Sequence, residues 1–318
     1  MRQEYRAARC YRSMLFVPGN RADWMLKAAK YKADALIFDL EDSVPVDAKD
    51  VARETVHAVL GELKDVPYGK FVRVNDWQTG HTLRDLLEVV VEGLDGVMLA
   101  RAEDVDHVTA LDLVLTDLER QRGLATRTIE IVPLCSTALA MYRHFEICLS
   151  SDRVRRSAGP GGVIAGGDYS RALAIRYSSD DGPEGMIVNG RSGLEARAAG
   201  VTQILGGMTT KIGDLDLVRR LAVRARSLGA TGSMVIHPSH VPVVNEVFTP
   251  TASEIASARE RLQRMSRVLS GGSASMRFGG AMVDYAHVRS SLELLNQAKS
   301  FGLDVGDVPD VPVLSFNG

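Results

Sequence analysis

The sequence lacks most marks of a specialised protein. Its three cysteines, Cys10, Cys135 and Cys148, are odd in number and have no metal-ligand spacing. That argues against a disulfide framework and a thiolate metal centre, and suits a reducing cytoplasm. There is no basic surplus: the formal net charge is −2, whereas a general nucleic-acid binder needs excess positive charge. No apolar run approaches membrane-spanning length, and residues 14–17 are too short for a signal-peptide core. No Gly-rich dinucleotide turn opens the chain. The only tryptophans, Trp24 and Trp77, are expected to pack rather than to stack on a ligand. What remains is 318 residues with 45% apolar and 25% charged content. This suits one large α/β domain with an appendage, or two ordinary domains.

The most informative stretch is the apolar run 35–38, which leads into Asp39, Glu41 and Asp42. Such a run reads as a strand buried on both faces, with three carboxylates at its C-terminal end. Three acids so close repel one another unless a cation or hydrogen-bond donors compensate. The competing reading is a helix N-cap with solvated charge, since a helical stretch begins near Asp47.

Seven further strands are expected at 14–17, 71–75, 96–100, 129–134, 162–165, 201–205 and 233–236, with helices between them. Eight such units give the period of a (β/α)8 TIM barrel, an α/β fold. The Gly-, Asp- and Ser-rich residues 178–190 read as an active-site loop. Residues 270–275 read as a flexible linker. The expected division is a barrel over 1–269 and a C-terminal arm over 270–318, the arm closing a site or packing on a neighbouring subunit.

In a barrel the strand ends converge on one mouth. The polar groups there are Glu41, Asp42, Arg73, Asn75, Arg101, Ser136, Asp168 and His237. A carboxylate cluster facing an arginine suits an anionic oxo acid held by a hard divalent cation such as Mg²⁺. Arg73 offers a bidentate fork for a carboxylate. Each has a plainer role open to it: Arg73 pairing with Glu41 or Asp42, Asp168 capping a helix, His237 supporting the structure.

Six segments carry a resemblance. Residues 12–19 (RSMLFVPG), 39–44 (DLEDSV), 72–75 (VRVN), 166–169 (GGDY), 236–238 (IHP) and 282–284 (MVD) occur in the order of the citrate lyase β-subunit-like proteins. That group includes malyl-CoA, citramalyl-CoA and citryl-CoA lyases within the HpcH/HpaI aldolase superfamily. The resemblance implies a barrel with a C-terminal arm, assembled as homotrimers or hexamers. It also implies Mg²⁺-dependent cleavage or formation of a C–C bond beside a CoA thioester. Arg73 matches the arginine that binds the substrate carboxylate or oxo group. Asp168 matches a Mg²⁺ ligand, and Glu41 and Asp42 the acidic pair behind the metal and its waters. Asp284 matches the arm aspartate that enters a neighbour's site and moves a proton at the acetyl carbon. Arg12, Arg21 and Arg101 are candidates for the phosphates of CoA.

The chain departs from that pattern at four positions. Ser136 stands where the second metal ligand is a Glu, Arg101 and Ser233 where lysines stand, and Leu205 where an Asp stands. These changes leave open a relative that binds a metabolite without lyase chemistry, or an acyl-CoA thioesterase using water as the attacking group.

Overall fold

The apolar runs become short parallel strands in the computed structural model, which describes residues 8–158, 168–176, 185–207, 209–271, 275–309 and 311. They are β1 (Ser13–Pro18), β2 (Ala35–Asp39), β3 (Gly69–Val74), β4 (Gly96–Leu99), β5 (Glu130–Pro133), β6 (Arg156–Ser157), β7 (Gln203–Gly206) and β8 (Gly232–Val235). Their order is β5-β4-β3-β2-β1-β8-β7-β6. The two ends of that order meet. Leu134 bridges Ala158, Ile131 N–H donates to Arg153 C=O (3.0 Å), and Cys135 N–H donates to Ala158 C=O (3.2 Å). The ring is thereby closed, and the (β/α)8 barrel expected from the sequence is the fold.

Side chains alternate across each strand, so residues two apart share a face. Met14, Ile37, Phe71, Met98, Val132, Leu205 and Met234 fill the interior of the ring. Leu15, Val17, Leu36, Phe38, Val72, Val97 and Ile131 face outward into the larger core under the helices. The helix Lys49–Glu62 shows how that core is covered: Ala52, Val56, Val59 and Leu60 recur at helical spacing and are buried. Fully burying a side chain such as Val56 or Leu60 contributes about 1.5–3 kcal/mol. Two glycines are dictated by close approach. A Cβ at Gly96 would lie 2.4 Å from the Phe71 ring, and one at Gly232 would lie 2.0 Å from the Tyr11 carbonyl oxygen.

The floor of the barrel differs from the sequence reading. Tyr11, ahead of β1, is buried among the inner side chains and packs edge-on against Phe71 at 5.8 Å. Arg156, fully buried, lies 4.5 Å from the Tyr11 ring centre and donates to Glu130 Oε2 (3.2 Å) and the Arg9 carbonyl (3.0 Å). The sixth strand is thus Arg156–Ser157; the run 162–165, read as that strand, lies outside the described residues.

The chain divides into two units at Phe248 and Thr249. The second contains the helix Ala252–Ser270, an antiparallel hairpin of β9 (Met276–Phe278) and β10 (Ala281–Val283), and the helix Tyr285–Ser300. It has its own apolar core, including Ile255, Leu262, Met265, Val288 and Leu295. The helix Ala252–Ser270, grouped with the barrel in the sequence reading, packs here with the arm because its apolar stripe is buried in that core. Of the linker read at 270–275, residues 272–274 lie outside the described residues.

Candidate active site

The register between β2 and β3 builds the centre of the mouth. Asp39, the last residue of β2, pairs across the ladder with Arg73. Both follow the inward-facing Ile37 and Phe71 by two residues, so both side chains turn into the ring. The guanidinium meets Asp39 with two parallel bonds, Nε to Oδ1 (2.6 Å) and Nη2 to Oδ2 (2.7 Å). Its Nη1 reaches Glu41 at 2.6 Å and Asp42 at 3.6 Å. Phe16, from β1, lies beneath with its ring centre 5.0 Å from the guanidinium carbon. The fork that the sequence reading offered to a substrate carboxylate is therefore closed on Asp39, which is 2% exposed.

The carboxylates differ in their electrostatics. Burial alone would raise Asp39, but the Arg73 charge and hydrogen bonds from Arg73, Ser43 N–H and Glu41 N–H outweigh it, so Asp39 is held below the usual range. Burial dominates for Glu41. Arg73 opposes the rise, Asp42, Asp39 and Asp168 reinforce it, and the group is pushed up to about 7. That influence places Asp168 within electrostatic reach of Glu41. Asp168 opens the short helix Asp168–Ala172, and one of its oxygens accepts from Arg171 Nη2 at 2.8 Å. Asp42 is 72% exposed.

A buried lysine that the sequence reading passed over shapes this rim. Lys49 Nζ donates to the carbonyls of Leu40 (2.7 Å) and Glu41 (3.0 Å), and its pKa is lowered by burial. Asn75 Nδ2 donates to Leu40 C=O (3.0 Å) and to the buried Asp85 (2.7 Å), so Asn75 supports the site from behind. The signal for Lys49 in the sequence was slight: one cation at the start of a helix whose neighbours are exposed.

Other expected positions are scattered. Arg12 precedes β1 and therefore lies at the floor, opposite the mouth; Asp34 takes its Nε at 2.8 Å and its Nη2 at 2.7 Å. This removes Arg12 from any ligand site at the mouth. Ser233 is fully buried with its hydroxyl bonded to the Gly207 carbonyl at 2.6 Å, and Leu205 belongs to the inner core; neither faces a ligand. Arg101 and Ser136 do follow the mouth ends of β4 and β5. The Ser136 hydroxyl is buried without a hydrogen-bond partner. Asp284 belongs to the second unit, is exposed, and pairs with His287 Nδ1 at 2.9 Å.

A cavity of about 440 Å³ opens beside the cluster. Phe16 is part of its wall and also lies under Arg73. The remaining wall includes Trp24, Lys27, Lys30, Tyr31 and His237. Arg21 stacks on Trp24 with its guanidinium carbon 3.9 Å from the ring centre, and Lys30 Nζ lies 4.9 Å from the Tyr31 ring centre. Trp24 is thus a half-exposed surface in a basic setting, not the packing residue expected.

No group of three or more His, Cys, Asp or Glu side chains among the described residues forms a metal centre. Mg²⁺ needs only one or two protein carboxylates and keeps its waters. The oxygen donors at the mouth fit that smaller demand: Asp168, the crowded Glu41 and Asp42 nearby, and the unpartnered Ser136 hydroxyl.

The model of the family described as HpcH/HpaI aldolase/citrate lyase matches residues 12–238. The chain belongs to that family. It is 30% identical over 280 residues to the citrate lyase subunit beta of Leuconostoc mesenteroides subsp. cremoris, covering 87% of this chain and 89% of that one. To the L-malyl-CoA/beta-methylmalyl-CoA lyase of Rhodobacter capsulatus it is 27% identical, covering 92% and 96%. Among solved structures it resembles CitE of Mycobacterium tuberculosis in complex with magnesium, acetoacetate and coenzyme A. That match has a TM-score of 0.67 and 26% identity, and covers 91% and 98%. A citrate lyase from Burkholderia xenovorans shares the fold, with a TM-score of 0.78 at 19% identity over 95% of each chain. These relatives are carbon–carbon lyases, and the chain is an enzyme of that class. No helix among the described residues is long and apolar enough to cross a membrane.

Proposed function

We propose that this protein is a cytoplasmic, Mg²⁺-dependent lyase that cleaves, or forms, the C–C bond of a 3-hydroxyacyl-CoA of the malyl-, citramalyl- or citryl-CoA type. The observation that carries the reading is the double role of Phe16. It lies under the Arg73 charge cluster, which would meet a small oxo acid, and forms part of the wall of a basic, aromatic cavity that would take a nucleotide-bearing tail. Arg21, Lys27 and Lys30 would meet the phosphates there, and Trp24 offers a face for a base.

Asp168 would hold the cation, with Glu41 and Asp42 on its waters. When bound, the cation supplies polarisation of the oxo oxygen. In the cleavage direction a proton leaves the 3-hydroxyl as the C–C bond breaks, releasing the oxo acid and the enolate of the acyl-CoA. Glu41, pushed up to about 7, is suited to accept that proton at neutral pH. Asp284, presented by a neighbouring subunit of a trimer or hexamer, delivers a proton to the enolate carbon. Arg73, fixed by Asp39, keeps positive charge beside the developing negative charge.

The test is a cleavage assay with malyl-, citramalyl- and citryl-CoA in the presence of Mg²⁺. Turnover of one of them that disappears in Asp168→Ala is expected. Inertness toward all three would leave the metabolite-binding alternative, which the uncharged Ser136 favours. Thioester hydrolysis without C–C cleavage would identify the thioesterase instead.

A further inference from the structure

Lys49 is a cation in an unfavourable place. It is 7% exposed and opens the helix Lys49–Glu62, the end at which a positive charge opposes the helix dipole. Among the described residues it makes no ion pair. Its ammonium donates to two consecutive backbone carbonyls, Leu40 at 2.7 Å and Glu41 at 3.0 Å. Neither carbonyl depends on it. Leu40 C=O also accepts from Asn75 Nδ2 at 3.0 Å, and Glu41 C=O also accepts from Val44 N–H at 3.1 Å. Burial lowers the pKa of the lysine, and Asp85, Asp39 and Glu41 favour its charge without forming an ion pair with it.

A buried ammonium set on carbonyls that already have donors adds little to stability. What it fixes is the path of the chain between two acids. Asp39 ends β2, Glu41 follows two residues on, and the peptides that Lys49 holds lie where the strand gives way to the rim. Glu41 N–H and Ser43 N–H donate to Asp39 at 2.9 and 3.1 Å, so this segment wraps the carboxylate that grips Arg73. Asn75 holds only the first of the two carbonyls, whereas Lys49 bridges both. We propose that Lys49 is a positioning residue for the reaction: by pinning the 40–41 backbone it keeps the Glu41 carboxyl beside Arg73 Nη1, in place to take the substrate hydroxyl proton. The inference rests on the role given to Glu41 in the function proposed above. A misplacement of about 1 Å at a reacting group can cost about 100-fold in rate, which is the demand that such a clamp would meet.

The experiment compares the full-length protein with Lys49→Met, Lys49→Gln, Glu41→Gln and the double variant Lys49→Met/Glu41→Gln, each assayed with the acyl-CoA that the unaltered protein cleaves. Lys49→Met should lower kcat about 10- to 100-fold and change KM less than about twofold, because a group acting through Glu41 is felt in the reaction and not in binding. In the Glu41→Gln background the same substitution should lower the residual kcat less than about twofold, since the group it positions is gone. Lys49→Gln, which keeps one donor, should fall between; should Lys49→Met not fold, it takes that variant's place in every comparison. Hydrogen exchange in the metal-free protein gives a readout apart from turnover. The amides of Glu41 and Ser43 should exchange at least about 10-fold faster in Lys49→Met, and those of Ile37 and Phe38 at an unchanged rate. Additive losses in the double variant, a change in KM alone, or unchanged exchange at Glu41 and Ser43 overturns the proposal. If the unaltered protein cleaves its acyl-CoA and any of these results appears, this inference falls alone. If it cleaves none of the three, the proposed function falls and takes this inference with it.

Discussion

Three acids, Asp39, Glu41 and Asp42, crowd Arg73, and their differing environments yield residue-scale predictions. Glu41 is raised from the ordinary carboxylate range to about 7. The folded state therefore holds a proton that the unfolded chain has released between about pH 4.5 and 7. In the metal-free protein, stability should fall as pH rises through that window and level off above it, by a few kcal/mol at most. Glu41→Gln should flatten the dependence and be the more stable protein at pH 8, as urea denaturation at several pH values would reveal. Asp39 behaves in the opposite sense, its charge being kept by Arg73. Asp39→Asn should cost about 3–5 kcal/mol, because it strips a buried arginine of its principal counter-charge. A loss below 1 kcal/mol in the same assay would mean the pair is not structural. The sequence named Arg73 and its pairing with Glu41 and Asp42, which the structure bears out, but missed Asp39, which strand register sets opposite it. Arg12 was misplaced for a simpler reason: it precedes its strand and so belongs to the floor.

At the scale of elements, buried ion pairs bind helices to strands. Arg153, just before β6, is fully buried. Its Nε meets Asp112 at 2.6 Å, its Nη2 meets Glu119 at 2.7 Å, and its Nη1 donates to the Ile129 carbonyl at 3.1 Å. Both acids lie on the helix Val105–Gln121. Arg153→Met leaves Glu119 buried without its cation and should cost about 3–5 kcal/mol in denaturation experiments. These arginines also explain the missed sixth strand. The sequence reading sought an apolar run and found it at 162–165, whereas the strand that pairs with β7 begins with Arg156, packed against aromatic rings. Hydropathy reports the solubility of a side chain and says nothing of a guanidinium satisfied by π-faces and a carboxylate. The other seven strands were legible because apolar parity and polar punctuation agreed.

For the whole molecule, the eight-fold recurrence of strand and helix made the barrel readable, but the division between units was not. The reading placed it at the Gly/Ser-rich residues after Ser270. The break between apolar cores falls instead near Thr249, where the chain enters the capping box of Thr251 and Glu254. Composition marks loose chain, whereas cores are defined by which apolar faces meet. Since each unit has its own core, a protein ending at Phe248 should unfold in one cooperative thermal transition. It should nonetheless have lost C–C cleavage, because it lacks Asp284. Cleavage at the full-length rate by that truncated protein would remove the arm from the mechanism.

The ring of strands has a clasp. Between β1 and β2 five consecutive residues are matched in register, whereas β6 is two residues long and its seam with β5 is held by one bridge just beyond both strands, Leu134 with Ala158, and by the N–H donations of Ile131 and Cys135. Thermal breathing should therefore part the hoop at that clasp before any other seam. Deuterium should replace the amide protons of Ile131 and Cys135 well before those of Ile37 and Phe38. Ser136 lies two residues beyond the Leu134 bridge, so the edge of the mouth proposed to meet the ligand is also the first to yield.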